Sequence, residues 1–121
     1  MSHQNSLAAS LMLSIGCLVG CSDSGREANV IPPNELRNNP RLAEGQRVFM
    51  QYCNQCHPGG ASGIGPSLND KRIPPFIMRV KVRHHVGNMP AFSPEVLPDP
   101  QLDDIVQYLR YLREHAGELD G

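Results

Sequence analysis

The residues with the clearest chemical potential lie near the middle of the chain, where Cys53, Cys56 and His57 form a C-x-x-C-H sequence. This spacing separates two thiols by about one helical turn and places an imidazole beside the second. It is the attachment sequence of c-type haem. The two thiols add to the two vinyl groups of one porphyrin, and the histidine ligates the iron. The motif therefore predicts one covalently attached haem c with Cys53 and Cys56 as its anchors.

Three other chemistries use closely spaced cysteines. A thioredoxin-like C-x-x-C belongs beside a βαβ pattern, whereas Cys53 ends a helical pattern. A zinc site needs a fourth ligand, and the adjacent Cys56 and His57 do not easily converge on one tetrahedral centre. A disulfide suits an oxidising compartment but does not explain His57. Haem attachment is the favoured interpretation, with these three as its alternatives.

The first 22 residues indicate export from the cytoplasm. They contain no Lys, Arg, Asp or Glu. The apolar run over 7–20 would span only about 21 Å as a helix, less than the roughly 30 Å of a bilayer core, which is typical of a secretory signal. The L-V-G-C sequence that ends at Cys21 resembles the lipobox of bacterial lipoproteins. This implies a signal peptide over 1–20, cleavage before Cys21 and lipidation of its thiol.

A lipidated Cys21 would anchor the chain on the periplasmic side of a bacterial membrane. Two or more acyl chains, palmitate among them, give stable anchoring, because each buried methylene contributes about 0.8 kcal/mol. The alternative is an ordinary signal peptide with a different cleavage site. The residues leave open whether the inner or the outer membrane holds the lipid.

The remainder of the chain divides into a linker and one small domain. Residues 21–39 are mostly polar and show no sustained hydrophobic period, so they are predicted to form the lipidated N-terminus and a flexible linker. Residues 40–121 are predicted to form a single domain. The net charge of -1 argues against a nucleic-acid partner. Aromatic residues make up only 5% of the chain, which indicates that a cofactor fills part of the interior.

Prolines mark the start of the first and last predicted helices. Asn39 followed by Pro40 predicts a capped helix that runs directly into the C-x-x-C-H sequence. Asp99 followed by Pro100 predicts the last helix, and Gly117 is its expected end.

The segment 76–86 between them is ambiguous. Two prolines precede it and Gly87 follows, which favours a helix, but alternate residues are also apolar, which is typical of a strand. No other segment offers a convincing partner strand, so a helix is favoured. Its inward-facing residues would be Phe76, Ile77 and Val80. The predicted fold class is therefore all-α, with three or more helices wrapped around one covalently attached haem.

Several positions outside the C-x-x-C-H sequence match a known family. Gly45 and Phe49 stand eight and four residues before Cys53, and Tyr108 lies in the last predicted helix. In these features residues 40–116 resemble a small class I cytochrome c. The resemblance implies that the first and last helices cross at Gly45, where Tyr108 packs.

Two further segments extend the resemblance. Residues 63–68 read G-x-G-P-x-L, and residues 88–92 contain the family's M-P pair. The resemblance implies that the carbonyl of Pro66 accepts a hydrogen bond from His57, which orients the imidazole and raises its basicity. It also implies that Met89 is the sixth ligand of the iron.

The residues alone leave the sixth ligand open. Met89, His84 and His85 rank about equally, while Met78 in an apolar segment is more typical of core filling. The resemblance favours Met89 and, with it, a raised reduction potential. With His57 and Met89 both on the iron, no position remains for oxygen or peroxide, which favours electron transfer over bond-making chemistry.

Three features depart from the family pattern. Pro58 follows His57 where glycine is usual, the chain has no tryptophan, and Met89 follows His57 closely in sequence, as in compact bacterial members. The haem is expected to complete the core, so that the domain is largely unfolded without it. Its expected apolar neighbours are Phe49, Leu68, Ile77, Val80, Phe92 and Leu109.

The resemblance implies a function in electron transport without enzymatic activity of the chain itself. The expected protein is a membrane-anchored periplasmic carrier that passes single electrons from a dehydrogenase or bc-type complex to a terminal oxidase or reductase. One alternative is the haem subunit of one specific dehydrogenase. Another, from a different class, is a haem enzyme or gas sensor with a vacant or labile sixth position.

One concentration of cations is a candidate docking patch for an acidic redox partner. Its alternative is a solvated face without a partner. The cations are Lys71, Arg72, Arg79, Lys81 and Arg83, and His84 and His85 adjoin them.

Overall fold

The computed structural model describes residues 31–70 and 72–116, and within these ranges the regular structure is helical. The predicted signal peptide, Cys21, Lys71 and Gly117 lie outside the described residues. The helices are α1 (Pro33–Asn38), α2 (Pro40–Tyr52), α3 (Pro75–Arg83) and α4 (Asp99–Glu114), with a short 3-10 turn over Pro58–Gly60. Among these residues the only β pairing is an isolated bridge between Val86 and Met89. The predicted all-α class is confirmed.

Each α-helix begins with proline in its first turn, where the missing N–H costs no intrahelical hydrogen bond. The Asn39 side-chain oxygen accepts a hydrogen bond from the N–H of Leu42 at 3.1 Å, as expected of an N-cap. The last helix differs slightly from its prediction. Its N-cap residue is Pro98, and Asp99 lies in the first turn.

The core of the domain forms where α2 crosses α4. Gly45 provides the close approach, because a Cβ atom there would lie 2.0 Å from the carbonyl oxygen of Asp104. Beside it the rings of Phe49 and Tyr108 pack with their centroids 5.2 Å apart. An ion pair of 2.7 Å between Arg41 and Asp104 borders the same crossing. The structure thus has the helix crossing that the resemblance implied.

The segment before α2 differs from the predicted linker. Ile31 is only 1% exposed and belongs to the core, and Leu36 of α1 packs against that core. The N–H of Asn39 closes α1 through a bond of 3.0 Å to the carbonyl oxygen of Glu35. Residues 31–39 are therefore a packed part of the domain. The buried Ile31 and the short helix α1 attach them to it.

The helix alternative for 76–86 is confirmed, but the helix is shorter than predicted. The helix ends at Arg83, and His84 is extended. Its buried residue is Met78, whereas Phe76 and Val80 are 63% and 50% exposed in the polypeptide. At 100° per residue the latter two lie about half a turn from Met78. Met78 therefore packs α3 on the polypeptide core, Ile77 is half-buried, and Phe76 and Val80 lie on a side that the described polypeptide does not cover.

No helix among the described residues is both long enough and apolar enough to cross a membrane.

Candidate haem-binding site

The C-terminal end of α2 brings the two cysteines and the histidine onto consecutive turns. Cys53 is the C-cap residue, and its N–H donates to the carbonyl oxygen of Phe49 at 2.8 Å. The N–H groups of Cys56 and His57 both donate to the carbonyl oxygen of Cys53, at 3.1 and 2.9 Å. Both cysteines are free thiols and half-buried. The C-x-x-C-H sequence therefore forms one hydrogen-bonded turn that continues directly from α2.

His57 is buried, with 6% of its surface exposed, and its Nδ1 atom lies 2.8 Å from the carbonyl oxygen of Pro66. A carbonyl oxygen only accepts hydrogen bonds, so Nδ1 carries a proton. In the neutral imidazole the lone pair is then on the other ring nitrogen, Nε2. Nε2 is then the atom that can ligate iron. This is the hydrogen bond that the family resemblance implied for Pro66.

Two glycines let the following segment fold closely around His57. A Cβ atom on Gly65 would lie 2.2 Å from Cε1 of the imidazole, and one on Gly63 would lie 2.7 Å from the ring of Pro58. The N–H of Gly65 donates to the carbonyl oxygen of Cys56 at 2.9 Å. Any side chain at position 65 would displace the imidazole, so these glycines are part of the site.

The turn after His57 explains how the sequence accommodates Pro58. The proline opens the 3-10 turn, and Gly59 and Gly60 take the positive φ values of 57° and 81° that the chain needs there. The Asn54 side-chain oxygen accepts from the N–H of Gly59 at 2.8 Å, and the Asn69 amide donates to its carbonyl at 3.0 Å. Sequence reasoning missed both asparagines. Asparagine commonly bonds turn backbone, but these two lie five and ten residues from Gly59, so no local signal connects them to this turn.

Burial raises the pKa of the Cys53 thiol to about 12, with a smaller contribution from the neighbouring Cys56. The thiol is therefore protonated at neutral pH in the polypeptide. Thiol–disulfide exchange requires a thiolate, so this burial disfavours a thioredoxin-like reactivity of Cys53. Among residues 31–70 and 72–116, no group of three or more His, Cys, Asp or Glu is placed to hold a metal ion. The zinc alternative thus finds no ligand set in these ranges.

Met89 lies on the segment between α3 and α4, which we call the Met89 loop (residues 84–98). Its side chain is half-buried, and its backbone pairs with Val86 across a turn in which Gly87 has a φ of 58°. The competing ligands are placed differently. His84 and His85 are exposed on the same loop, while Met78 is buried in the core.

The helical fold and the C-x-x-C-H turn with its oriented histidine define a small class I c-type cytochrome. The chain belongs to the family described as cytochrome C oxidase, cbb3-type, subunit III, whose model matches residues 40–109. The matched range begins at the first residue of α2 and ends within α4, so it includes the helix crossing, the C-x-x-C-H turn and the Met89 loop.

Individual relatives are also c-type cytochromes. The cytochrome c subunit of 4-cresol dehydrogenase [hydroxylating] from Pseudomonas putida is 24% identical over 89 residues, which cover 74% of this chain and 78% of that protein. Cytochrome c6 from Gloeothece citriformis is 32% identical over 73 residues, or 54% of this chain and 66% of that protein. Cytochrome c6 from Bryopsis maxima is 32% identical over 78 residues, covering 56% and 88%. No solved structure is a significant match.

Membership in this family implies covalently bound haem c, and the residues of the site fit that group. Two free thiols lie on the turn that ends in His57. The hydrogen bond from Nδ1 to Pro66 leaves Nε2 available as an iron ligand, and Gly65 gives the imidazole the space it occupies. The protein is therefore an electron-transfer haem protein.

Proposed function

We propose that the protein is a monohaem electron carrier whose iron has His57 and Met89 as axial ligands. The observation that supports this most directly is the orientation of His57 by Pro66, which directs Nε2 rather than Nδ1 to a ligand. When bound, the haem supplies a one-electron couple between ferric and ferrous iron. A carrier needs only to exchange that electron, so two protein ligands on the iron suit it better than one open position.

The positions of the other candidate iron ligands support the Met89 proposal. Met78 is only 7% exposed and packs in the core, and Met50 is half exposed on the outer side of α2. His84 and His85 are exposed, whereas Met89 is half-buried beside a turn that fixes its backbone. Among these side chains Met89 combines partial burial with a position on a loop outside the core.

The ligand proposal is tested by replacing Met89 with alanine in the full chain, produced with a cytochrome c maturation system. The wild-type ferric protein should show the weak far-red band of methionine–iron ligation, and its ferrous form should not bind carbon monoxide at neutral pH. Met89→Ala should lose the band and bind carbon monoxide, because one axial position is then open. Optical spectra of both oxidation states measure this.

Met50→Ala is the matched control, since Met50 is exposed on α2, and it should retain both properties of the wild type. A wild-type protein that lacks the far-red band and binds carbon monoxide would contradict the proposal and favour the haem enzyme or gas sensor. A low-spin wild-type spectrum without the band and without carbon monoxide binding would indicate His84 or His85 as the ligand.

The proposed location is the periplasmic side of a bacterial membrane, with lipid on Cys21 after removal of residues 1–20. The L-V-G-C sequence before the packed domain supports this proposal. The proposed partners are a dehydrogenase or bc-type complex as electron donor and a terminal oxidase or reductase as acceptor. Domains of this family are typically periplasmic in bacteria, which is the compartment where such partners would be met.

A second candidate is the dedicated haem subunit of one dehydrogenase, which the relative named as a dehydrogenase cytochrome subunit favours. A free carrier should elute from size-exclusion chromatography of a mild detergent extract as a monohaem protein of its own size. A dedicated subunit should elute in a larger species together with a second redox protein. Covalent haem staining of the fractions separates the two, and elution in the larger species alone would contradict the free carrier.

A further inference from the structure

The Met89 loop has little regular structure to hold it in place. Val86 and Met89 pair across one turn, and the N–H of Phe92 donates to the carbonyl oxygen of Val82 at 2.9 Å. Farther along, the N–H groups of Val96 and Leu97 both donate to the carbonyl of Ser93. Much of the loop surface is exposed, and Leu97 is its buried residue. Its position therefore depends on contacts made by neighbouring elements.

Arg83 supplies two such contacts and a third to the start of α4. It is the last residue of α3, and only 17% of its side chain is exposed. Its Nη1 atom donates to the carbonyl oxygens of Phe92 at 2.9 Å and Leu97 at 2.8 Å. Its Nη2 atom donates to the carboxylate of Asp99 in the first turn of α4. One guanidinium thus joins α3, two points of the loop and the start of α4.

This arrangement corrects the docking-patch interpretation of two cations. Arg83 points into the molecule, and Arg79 forms an ion pair of 2.6 Å with Asp103. Lysine could not replace Arg83 here, because its single ammonium group lacks the planar fork with which a guanidinium reaches several acceptors. The chemistry at position 83 is therefore specific for arginine.

A second contact reaches the loop from the haem-attachment helix. The hydroxyl of Tyr52, which directly precedes Cys53, donates to the carbonyl oxygen of Val96 at 3.3 Å. The ring of Tyr52 meets that of Phe92 edge-on, with centroids 5.8 Å apart. The loop is therefore held between Tyr52 on α2 and Arg83 on α3. Without Arg83, the hydrogen bond from Phe92 to Val82 would be the backbone contact that still ties the loop to α3.

We propose that Arg83 is a positioning residue that holds the Met89 loop in place and so keeps the Met89 thioether on the iron. This inference rests on the proposed ligation by Met89. The two carbonyls that Arg83 satisfies lie three and eight residues after Met89. Losing the guanidinium leaves both without this donor, which frees the loop to move away with its methionine.

The test uses full-length haem-loaded protein with Arg83→Gln, and Arg83→Lys as a milder variant. Exogenous imidazole binds ferric iron only after Met89 has left it, so the rate of imidazole binding reports the fraction with Met89 detached. We expect Arg83→Gln to raise this rate by about tenfold or more, the effect of losing one hydrogen bond from a charged donor. Arg83→Lys should give a smaller increase, and the far-red band should weaken in the same order.

Arg79→Gln is the matched control, because it removes an arginine ion pair between α3 and α4 that does not touch the loop. It should leave the imidazole rate near that of the wild type. Amide hydrogen exchange of residues 86–97 adds a readout independent of the iron, and it should quicken in Arg83→Gln and not in Arg79→Gln. Far-UV circular dichroism checks folding, and Arg83→Lys provides the comparison if the glutamine variant does not fold.

The outcomes separate this inference from the function on which it rests. A wild-type protein without the far-red band would overturn Met89 ligation and this inference together. A wild type with the band, and Arg83 variants with unchanged imidazole rates and exchange, would overturn the role of Arg83 alone. Equal increases in the Arg83 and Arg79 variants would also overturn it, because they would indicate a general loosening of α3 on α4.

Discussion

A variant with both Cys53 and Cys56 replaced by alanine should carry no covalent haem and should lose most of its helical structure. Far-UV circular dichroism and thermal unfolding measure this result. The physical reason is that the polypeptide buries its apolar core mainly where α2 crosses α4. In the stretch from Cys56 to Pro98 that links them, Met78 and Leu97 are the apolar side chains buried among the described residues.

The same stretch exposes large apolar side chains that a soluble domain of this size would normally cover. A buried haem would supply apolar contacts that the side chains lack, in a domain too small to have much stability in reserve. The exposed side chains are Ile64, Phe76, Val80, Val86 and Val96.

Met89→Ala is the control for this experiment, because it leaves both thioether bonds intact and should remain folded. A cooperative thermal transition in the haem-free double variant would contradict the prediction. It would show that the α2–α4 crossing is stable alone and that the haem contributes function without contributing the core.

The sequence predicted well those features that depend on local chemistry. Asn39 followed by Pro40 locates the start of α2 because capping and proline placement involve only neighbouring residues. The C-x-x-C-H sequence likewise acts over a short distance along the chain, and the resemblance implied the hydrogen bond from His57 to Pro66. The closeness of Gly65 to the imidazole was not predicted.

The predictions that the structure changed depend on contacts between residues that are distant in sequence. Periodicity identified an apolar side of α3 but did not show that Met78, rather than Phe76 or Val80, faces the polypeptide core. Arg83 was read as a surface charge because nothing local shows that two carbonyls and Asp99 lie within its reach. Ile31 was assigned to a linker because a single apolar residue produces no hydrophobic periodicity in the sequence.

Replacing Gly45 with alanine should destabilise the protein by about 3 kcal/mol, the upper part of the usual range for overpacking. The added Cβ would lie 2.0 Å from the carbonyl oxygen and 2.6 Å from the carbonyl carbon of Asp104. These are backbone atoms of α4, so no side-chain rotation relieves the contact. Either helix must move, and the packing of Phe49 against Tyr108 at the same crossing is then lost.

This effect opposes the helix propensity of alanine, which exceeds that of glycine by about 1 kcal/mol in a helix interior. Thermal unfolding of the haem-loaded protein should show a Tm at least about 10 °C lower, given the usual shift of several degrees per kcal/mol in small domains.

Gly87→Ala is the control, because a Cβ there meets no atom within 4 Å. Its φ of 58° adds strain of only about 1–2 kcal/mol. A Gly45→Ala protein as stable as the wild type would mean that α2 and α4 do not approach this closely in solution, and Gly45 would then have no packing role.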